Sequence, residues 1–210
     1  MLNLADQRKE YSFSTLDEIQ VDKNPLLLFN KWFKEAEGKV LEANAMHLST
    51  VSNGKPKGRI VLLKGVDHGF VFFTNYGSAK GQELQQNSSA AVTFFWGEIE
   101  KQVRVEGKVE KVTEAESDDY FKLRPRESQL GALASAQSSP ISSRKELVDK
   151  YFQLMEEFDG RVIPRPPHWG GFRLLPDYFE FWQGGAGRLH DRITYSDFAA
   201  ESWKIARLSP

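Results

Sequence analysis

Gln102-Val103-Arg104-Val105-Glu106-Gly107-Lys108-Val109-Glu110-Lys111-Val112 sets apolar or small residues at every second position against charged ones. Val103, Val105, Gly107 and Val109 therefore share one face, and a period of two is that of a strand with one side packed and the other wet. The flanking sequence repeats the pattern. Upstream, residues 90–96 form a buried-looking strand, and 45–52 and 59–66 flank an Asn53-Gly54 turn as a β-hairpin. A second turn at Asp67-His68-Gly69 leads to a strand over 71–75. Downstream, residues 169–182, 188–195 and 202–208 close the chain as strands.

Helices fill the gaps. Asn24-Pro25, a cap followed by proline, opens one with Leu26, Phe29, Trp32, Phe33 and Ala36 at helical spacing. Residues 78–87 form a short helix. Thr113-Glu114-Ala115-Glu116 is a capping box for a helix to about Leu123, which breaks at Pro125. Ser143-Arg144-Lys145-Glu146 starts another, with Leu147, Tyr151, Leu154, Met155 and Phe158 on its inner face. Few of these can serve as crossovers between parallel strands, so the pattern predicts a mainly β, α+β fold, a barrel with peripheral helices, over a doubly wound sheet. Residues 1–23 are polar and weakly patterned and read as a flexible N-terminal arm, with 24–210 as a single domain.

Composition excludes several function classes. The 210 residues carry 28 basic and 29 acidic side chains, a net charge of -1, so no global field recruits nucleic acid or a membrane surface. There is no cysteine, hence no thiolate nucleophile, disulfide or cysteine-held metal or cluster. His47, His68 and His168 are isolated, and no metal is expected. Redox chemistry would have to reside in an organic cofactor. No apolar run reaches signal-peptide or transmembrane form, and a cytoplasmic location is expected.

Four clusters carry candidate chemistry. In the first, Arg59-Ile60-Val61-Leu62-Leu63-Lys64 has a cation at each end, and Thr74-Asn75-Tyr76-Gly77-Ser78-Ala79-Lys80 runs from a strand through glycine into a helix. Free helix-start N–H groups, hydroxyls and Lys80 suit a phosphate, although snorkelling cations and an ordinary serine cap would look the same. In the second, Tyr120, Arg124 and Ser128 converge near a helix end, as an anion site or as a turn complementing the helix dipole. Gln102, Gln137 and Ser138 suit the edge of a heterocycle or simple solvation. Finally, after Trp182 and a glycine-rich turn, Arg188, His190 and Arg192 fall at alternate positions, which in an extended strand puts all three on one face. That face is an anion site or a solvated edge.

Five motifs occur in order: Arg59-Ile-Val-Leu-Leu-Lys64, Arg124-Pro-Arg-Glu-Ser128-Gln, Gln137-Ser138-Ser, Trp169-Gly-Gly-Phe172 and Trp182-Gln-Gly-Gly…Arg188-Leu-His-Asp-Arg192. Together they resemble the pyridoxine/pyridoxamine 5'-phosphate oxidase family, flavoenzymes that make pyridoxal 5'-phosphate. The resemblance spans roughly Asn24 to Pro210 and touches the arm at Arg8-Lys9-Glu10-Tyr11. It implies an FMN-binding split β-barrel and a homodimer with FMN at the subunit interface. It further implies that hydride passes from the substrate C4' to FMN and then to O2, releasing hydrogen peroxide. Arg59, Ile60, Val61, Leu62, Leu63, Lys64, Phe73, Thr74, Lys80, Gln102, Gln137, Ser138, Trp182 and Arg192 would hold FMN. Lys64, Tyr120, Arg124 and Ser128 would hold the substrate phosphate, with Arg8 and Tyr11 closing over it. Arg188 and His190 would face the substrate ring as the catalytic pair, leaving Arg192 to the flavin. Two departures stand out: Ala79 replaces a frequent arginine and Phe73 a frequent tyrosine. A split-barrel flavin reductase and a non-catalytic pyridoxal phosphate or FMN binder are the alternative functions.

Overall fold

The computed structural model describes residue 4, residues 10–11, 15–199 and 202–210. Nine strands, β1 (Ala45–Ser52), β2 (Lys55–Leu62), β3 (Gly65–Val66), β4 (Phe70–Asn75), β5 (Ser89–Trp96), β6 (Lys101–Lys111), β7 (Trp169–Gln183), β8 (Asp191–Ala199) and β9 (Ser202–Arg207), form one antiparallel sheet. Its main path runs β2-β1-β5-β6-β7-β4-β3, with β8 and β9 added beyond β7. The two ends of that path, β2 and β3, are consecutive in the chain and separated only by Leu63 and Lys64. The Leu63 N–H donates to the Asn44 carbonyl at 2.8 Å, on the β1 side, and the Lys64 N–H donates to the Val71 carbonyl at 2.8 Å, on the β4 side. Two successive amides thus bond opposite edges of the sheet, which closes it into a barrel. This is why the strand expected over 59–66 is interrupted.

The alternation in β6 appears directly in burial: Val103, Val105 and Val109 point inward and Arg104, Glu106 and Lys108 outward. Its partner β7 is long enough to serve three neighbours, pairing β4 through Trp169–Leu174, β8 through Phe179–Gln183 and β6 along most of its length. The switch occurs at a bulge, where the β6–β7 register shifts between Glu106 and Gly107. A Cβ on Gly107 would lie 1.9 Å from the Leu175 carbonyl oxygen, so only glycine fits.

Helix α1 (Pro25–Ala36) is capped by Asn24, whose side chain accepts from the Leu26 N–H, and it buries Leu28, Phe29 and Trp32 in the barrel end. Phe29 meets Phe70 edge-on at 4.8 Å and Phe94 at 5.0 Å. Burial of a ring of this size is worth roughly 1.5–3 kcal/mol. Helix α2 (Ala79–Gln86) follows β4, and α3 (Glu114–Leu123) follows β6 with both hydrogen bonds of the expected capping box. Two features were not anticipated. Pro125 does end α3, but it also starts a further helix, α4 (Arg126–Ala134), so the break is a junction. The last helix, α5 (Arg144–Glu157), has no fully buried residue: Tyr151 and Leu154 pack on a second small core with Trp169, whereas Met155 is exposed.

Part of the segment read as an arm is docked, since Leu16 and Val21 pack against the main core. Another expectation is corrected. Residues 188–195 are not one strand, because Ala186–Arg188 form a 3-10 turn and β8 begins at Asp191. Gly187 and Arg188 both adopt left-handed backbone, with φ of 60° and 64°, so strict alternation cannot place Arg188 on a face with His190 and Arg192.

An ion cluster ties α3 to the barrel. Arg173 on β7 donates to Asp67 and, at 2.6 Å, to Glu116, whose other oxygen accepts the Thr113 cap N–H at 2.8 Å. The hydrogen bond from Arg173, followed by those from Thr113, holds the Glu116 carboxyl at about 2 against an ordinary 4.5. A depressed carboxyl pKa stabilises the fold fully above about 4.5, and the contribution disappears as pH falls towards 2. Denaturant unfolding of the protein and of Glu116→Gln should therefore differ most at neutral pH, and the difference should shrink between pH 4.5 and 2. A pH-independent difference would mean that Glu116 contributes only shape.

Candidate active site

The barrel-closing corner opens into a cavity of about 650 Å³. Its walls are built from elements whose ends meet there. Outward-facing residues of β2 and the bend supply Ile60, Leu62 and Lys64, the end of β4 supplies Phe73 and Thr74, and α2 supplies Lys80. Tyr120 and Arg124 enter from the end of α3, Ser128 from α4, and Gln137 from the loop that follows.

At the α2 end, Ser78 caps the helix by accepting from the Gly81 N–H while its own hydroxyl donates to the Asn75 carbonyl at 2.6 Å. Lys80 Nζ donates to Thr74 Oγ1 and to Gln137 Oε1, both at 3.1 Å. Burial, and secondarily the nearby Arg59 charge, holds the Lys80 ammonium below its ordinary pKa. A cation in that state gains from an anionic partner. Arg59 itself points to the other face of β2, where it donates to Thr50 at 2.5 Å and to Glu83 at 2.6 Å. Its charge is thus balanced by a carboxylate, whereas among the described residues Lys64, Lys80 and Arg124 form no ion pair.

At the α3 end, Phe73, Tyr120 and Trp169 form a near-parallel stack, with Phe73–Tyr120 at 3.9 Å and Phe73–Trp169 at 5.5 Å. Gly171 makes room for it, since a Cβ there would lie 2.8 Å from the Phe73 ring, and Gly170 makes room for the neighbouring Tyr76, whose hydroxyl would lie 2.2 Å from a Cβ. Arg124 lies over the Trp169 ring at 4.6 Å. Its Nη1 is buried with no hydrogen-bond partner. Burial lowers the Arg124 pKa from its ordinary value, yet an arginine stays charged at neutral pH. The Gln129 side chain fixes this corner by donating to the Phe121 carbonyl at 3.1 Å and the Arg124 carbonyl at 2.9 Å.

A second group of expected residues lies elsewhere on the same outer sheet surface. Gln102, Trp182 and Arg192 are directly opposite one another on β6, β7 and β8 and form a single cross-strand row. His190 packs on Trp182 at 4.7 Å, and Tyr11 meets Trp182 at 5.6 Å and His190 at 5.7 Å. The Gly185 N–H donates to His190 Nδ1 at 3.1 Å, so the neutral ring carries its proton on Nε2. Arg188 is exposed on the 3-10 turn. Arg192 is clamped by Glu180, a buried carboxylate that accepts from Arg192 Nε at 2.9 Å, from Arg192 Nη2 at 3.1 Å and from Arg104 at 3.0 Å.

The structure therefore sorts the expected site residues into two sets. The cavity unites Ile60, Val61, Leu62, Lys64, Phe73, Thr74, Lys80, Tyr120, Arg124, Ser128 and Gln137. Gln102, Trp182, Arg188, His190, Arg192 and Tyr11 do not line it. Nor do Arg59, the buried core residue Leu63, or Ser138, which sits beside Gln137 at a φ of 71°. Arg8 lies outside the described residues. Sequence reasoning missed Gln129, Glu180 and the stacking role of Trp169, because each acts through a partner remote in the chain.

Residues 33–155 match the family described as pyridoxamine 5'-phosphate oxidase, and residues 169–210 match the pyridoxine 5'-phosphate oxidase C-terminal dimerisation region. A pyridoxine/pyridoxamine 5'-phosphate oxidase from Nostoc punctiforme is 52% identical over 99% of this chain and 98% of its own length. One from Burkholderia thailandensis is 53% identical over the whole of both chains. Among solved structures, PhzG from Burkholderia lata, in complex with tetrahydrophenazine-1-carboxylic acid, superposes with a TM-score of 0.89 at 28% identity, covering 96% of this chain and all of that one. A pyridoxamine 5'-phosphate oxidase-related, FMN-binding protein from Nostoc punctiforme shares the fold, with a TM-score of 0.72 at 16% identity over 89% of this chain and 98% of that one. With its strand order, its corner cavity and these full-length relatives in agreement, the chain belongs to the pyridoxine/pyridoxamine 5'-phosphate oxidase family of split β-barrel enzymes.

Proposed function

We propose that the protein is an FMN-dependent oxidase that converts pyridoxamine or pyridoxine 5'-phosphate to pyridoxal 5'-phosphate, with O2 as acceptor and with release of hydrogen peroxide, and of ammonia from the amine. The observation that carries the reading is Arg124, whose buried Nη1 lacks a partner in a cavity that also holds the unpaired cations Lys64 and Lys80. A guanidinium nitrogen buried without a partner is costly unless a ligand completes it, and a phosphate accepts forked hydrogen bonds. Two separate cationic ends in one cavity suit two phosphate-bearing molecules.

The donor set fits FMN. Lys80, Thr74 and the start of α2 suit its phosphate, the chain from Ile60 to Leu62 offers backbone groups along the cavity, and the Gln102–Trp182–Arg192 row offers hydrogen-bonding and apolar groups for a ring. When bound, FMN supplies a two-electron acceptor that O2 can regenerate. The chain's own residues then bind and orient. Lys64, Tyr120, Arg124 and Ser128 hold the substrate phosphate, and Arg188 and His190 fix the pyridine ring, with the His190 Nε2 proton available to a ring oxygen. Alignment of the reacting carbon is the main contribution.

The two residue sets are proposed to meet across a homodimer. Trp169, which lines the cavity, and Trp182 lie at opposite ends of β7, thirteen positions apart, at most roughly 44 Å of extended strand. Both sets face outward, so one copy's cavity and another copy's Trp182 row can face each other when the sheets pack. Among the described residues, no helix is long and apolar enough to cross a membrane, and a cytoplasmic site of action belongs to the same proposal.

The purified protein should be yellow, with a flavin band in the visible spectrum, and should release peroxide in air when given pyridoxamine 5'-phosphate. Tight ligand binding without peroxide would instead make it a carrier. The two sets should also separate kinetically. Arg124→Ala should raise KM by the equivalent of about 1–3 kcal/mol. Arg188→Ala should lower turnover with FMN still bound. An unchanged KM in the first variant, or loss of flavin in the second, would refute those roles.

A further inference from the structure

Beside the Trp182 row, Arg207 on β9 divides its guanidinium between the short segment Leu16–Glu18 and Asp191 on β8. Its Nε donates to Glu18 Oε2 at 2.8 Å, its Nη2 donates to the Leu16 carbonyl at 2.7 Å, and its Nη1 donates to Asp191. The other oxygen of Asp191 accepts the Leu16 N–H at 2.8 Å. Leu16 is thus held through both its backbone groups. Further along, the Asp22 carbonyl accepts from the buried Tyr195 hydroxyl at 2.7 Å. Asp191 is the residue directly after His190.

On the other side of the same turn sit Glu10 and Tyr11. Glu10 accepts the Gly187 N–H at 2.9 Å, immediately before Arg188. Tyr11 packs on His190 and Trp182 so closely over Gly184 that a Cβ there would lie 2.8 Å from its ring. Four residues separate Tyr11 from Leu16, a tether that spans at most roughly 18 Å. Anchoring one end of so short a tether raises the effective concentration of the other end at its seat into the millimolar range or above. Without the anchor, that gain is lost.

We infer that Arg207, Asp191 and Glu18 are positioning residues: they latch the chain at Leu16 and thereby seat Glu10 and Tyr11 against the Gly187–His190 turn that presents Arg188 and His190. None of the three lines the cavity or belongs to the residues assigned above to substrate or cofactor. The inference rests on the functional reading above for the roles of Arg188 and His190, but the latch is a property of the chain alone. If binding requires the seated arm, KM rises as the reciprocal of the seated fraction. A latch weakened until a tenth to a third of molecules are seated gives about a three- to tenfold increase.

The test uses the flavin-loaded protein and two variants, Glu18→Gln, at an exposed position, and Arg207→Gln. Amide hydrogen exchange over residues 10–18, flavin content, and KM and kcat for pyridoxamine 5'-phosphate are measured together. Faster exchange over 10–18, unchanged flavin content and a several-fold higher KM in both variants are expected. Unchanged exchange would show that there is no latch. Faster exchange with wild-type KM would reduce the cluster to a structural staple. A wild-type protein that exchanges slowly at Leu16 yet makes no peroxide would overturn the functional reading while leaving the latch in place.

Discussion

The bend at Leu63–Lys64 is the constraint on which the rest of the molecule depends. Because the two ends of the sheet are one piece of chain, the barrel closes where Leu63 and Lys64, between β2 and β3, give their amides first to one edge and then to the other. Closure removes two sheet edges. It also brings the end of β4, the start of α2 and the α3–α4 junction to the same corner, and these are the elements that wall the cavity. Lys64 stands at the turning point, so the residue that closes the barrel also supplies one of the cavity's unpaired cations.

Electrostatics divide labour in a similar way on both residue sets. Arg59, Arg173, Arg192 and Arg207 are matched by carboxylates and hold elements together. Among the described residues, Lys64, Lys80 and Arg124 are left without a carboxylate where a ligand can reach them. In a chain of nearly neutral net charge, anion recognition arises from this local withholding of partners, since no global field exists to supply it. Desolvation of Lys80 and Arg124 by the cavity walls increases what each gains from a bound phosphate.

Much of this was legible in the residues. Strand alternation in β6, the Asn53-Gly54 turn, the Asn24-Pro25 start of α1 and the capping box of α3 are local features, set by side-chain period and cap chemistry, and each formed where it was expected, although the hairpin's second strand starts at Lys55 and not at Arg59. Features set by remote partners were not legible. Helix α4 was hidden because proline breaks one helix and starts another by the same chemistry. The Arg188–Arg192 alternation failed because the left-handed backbone at Gly187 and Arg188 resets the phase, which a count of positions cannot see. The docking of Leu16 depends on Asp191 and Arg207, about 175 and 191 positions away. The candidate phosphate residues were individually ambiguous in sequence, and the cavity unites most of them, while the split into two sets on one surface appeared only in three dimensions.

That split carries the central claim, that a complete site takes its cavity from one protomer and its Arg188–His190 turn from the other. Coexpression of Arg124→Ala and Arg188→Ala chains tests it directly. Random pairing makes about half of the dimers mixed, and each mixed dimer has one intact site and one doubly altered site, so at substrate below the wild-type KM about a quarter of wild-type activity should return above that of the two variants alone. Activity no greater than that of the two variants mixed after purification, with mixed dimers shown to be present, would place both residue sets in the same protomer's site and contradict the account.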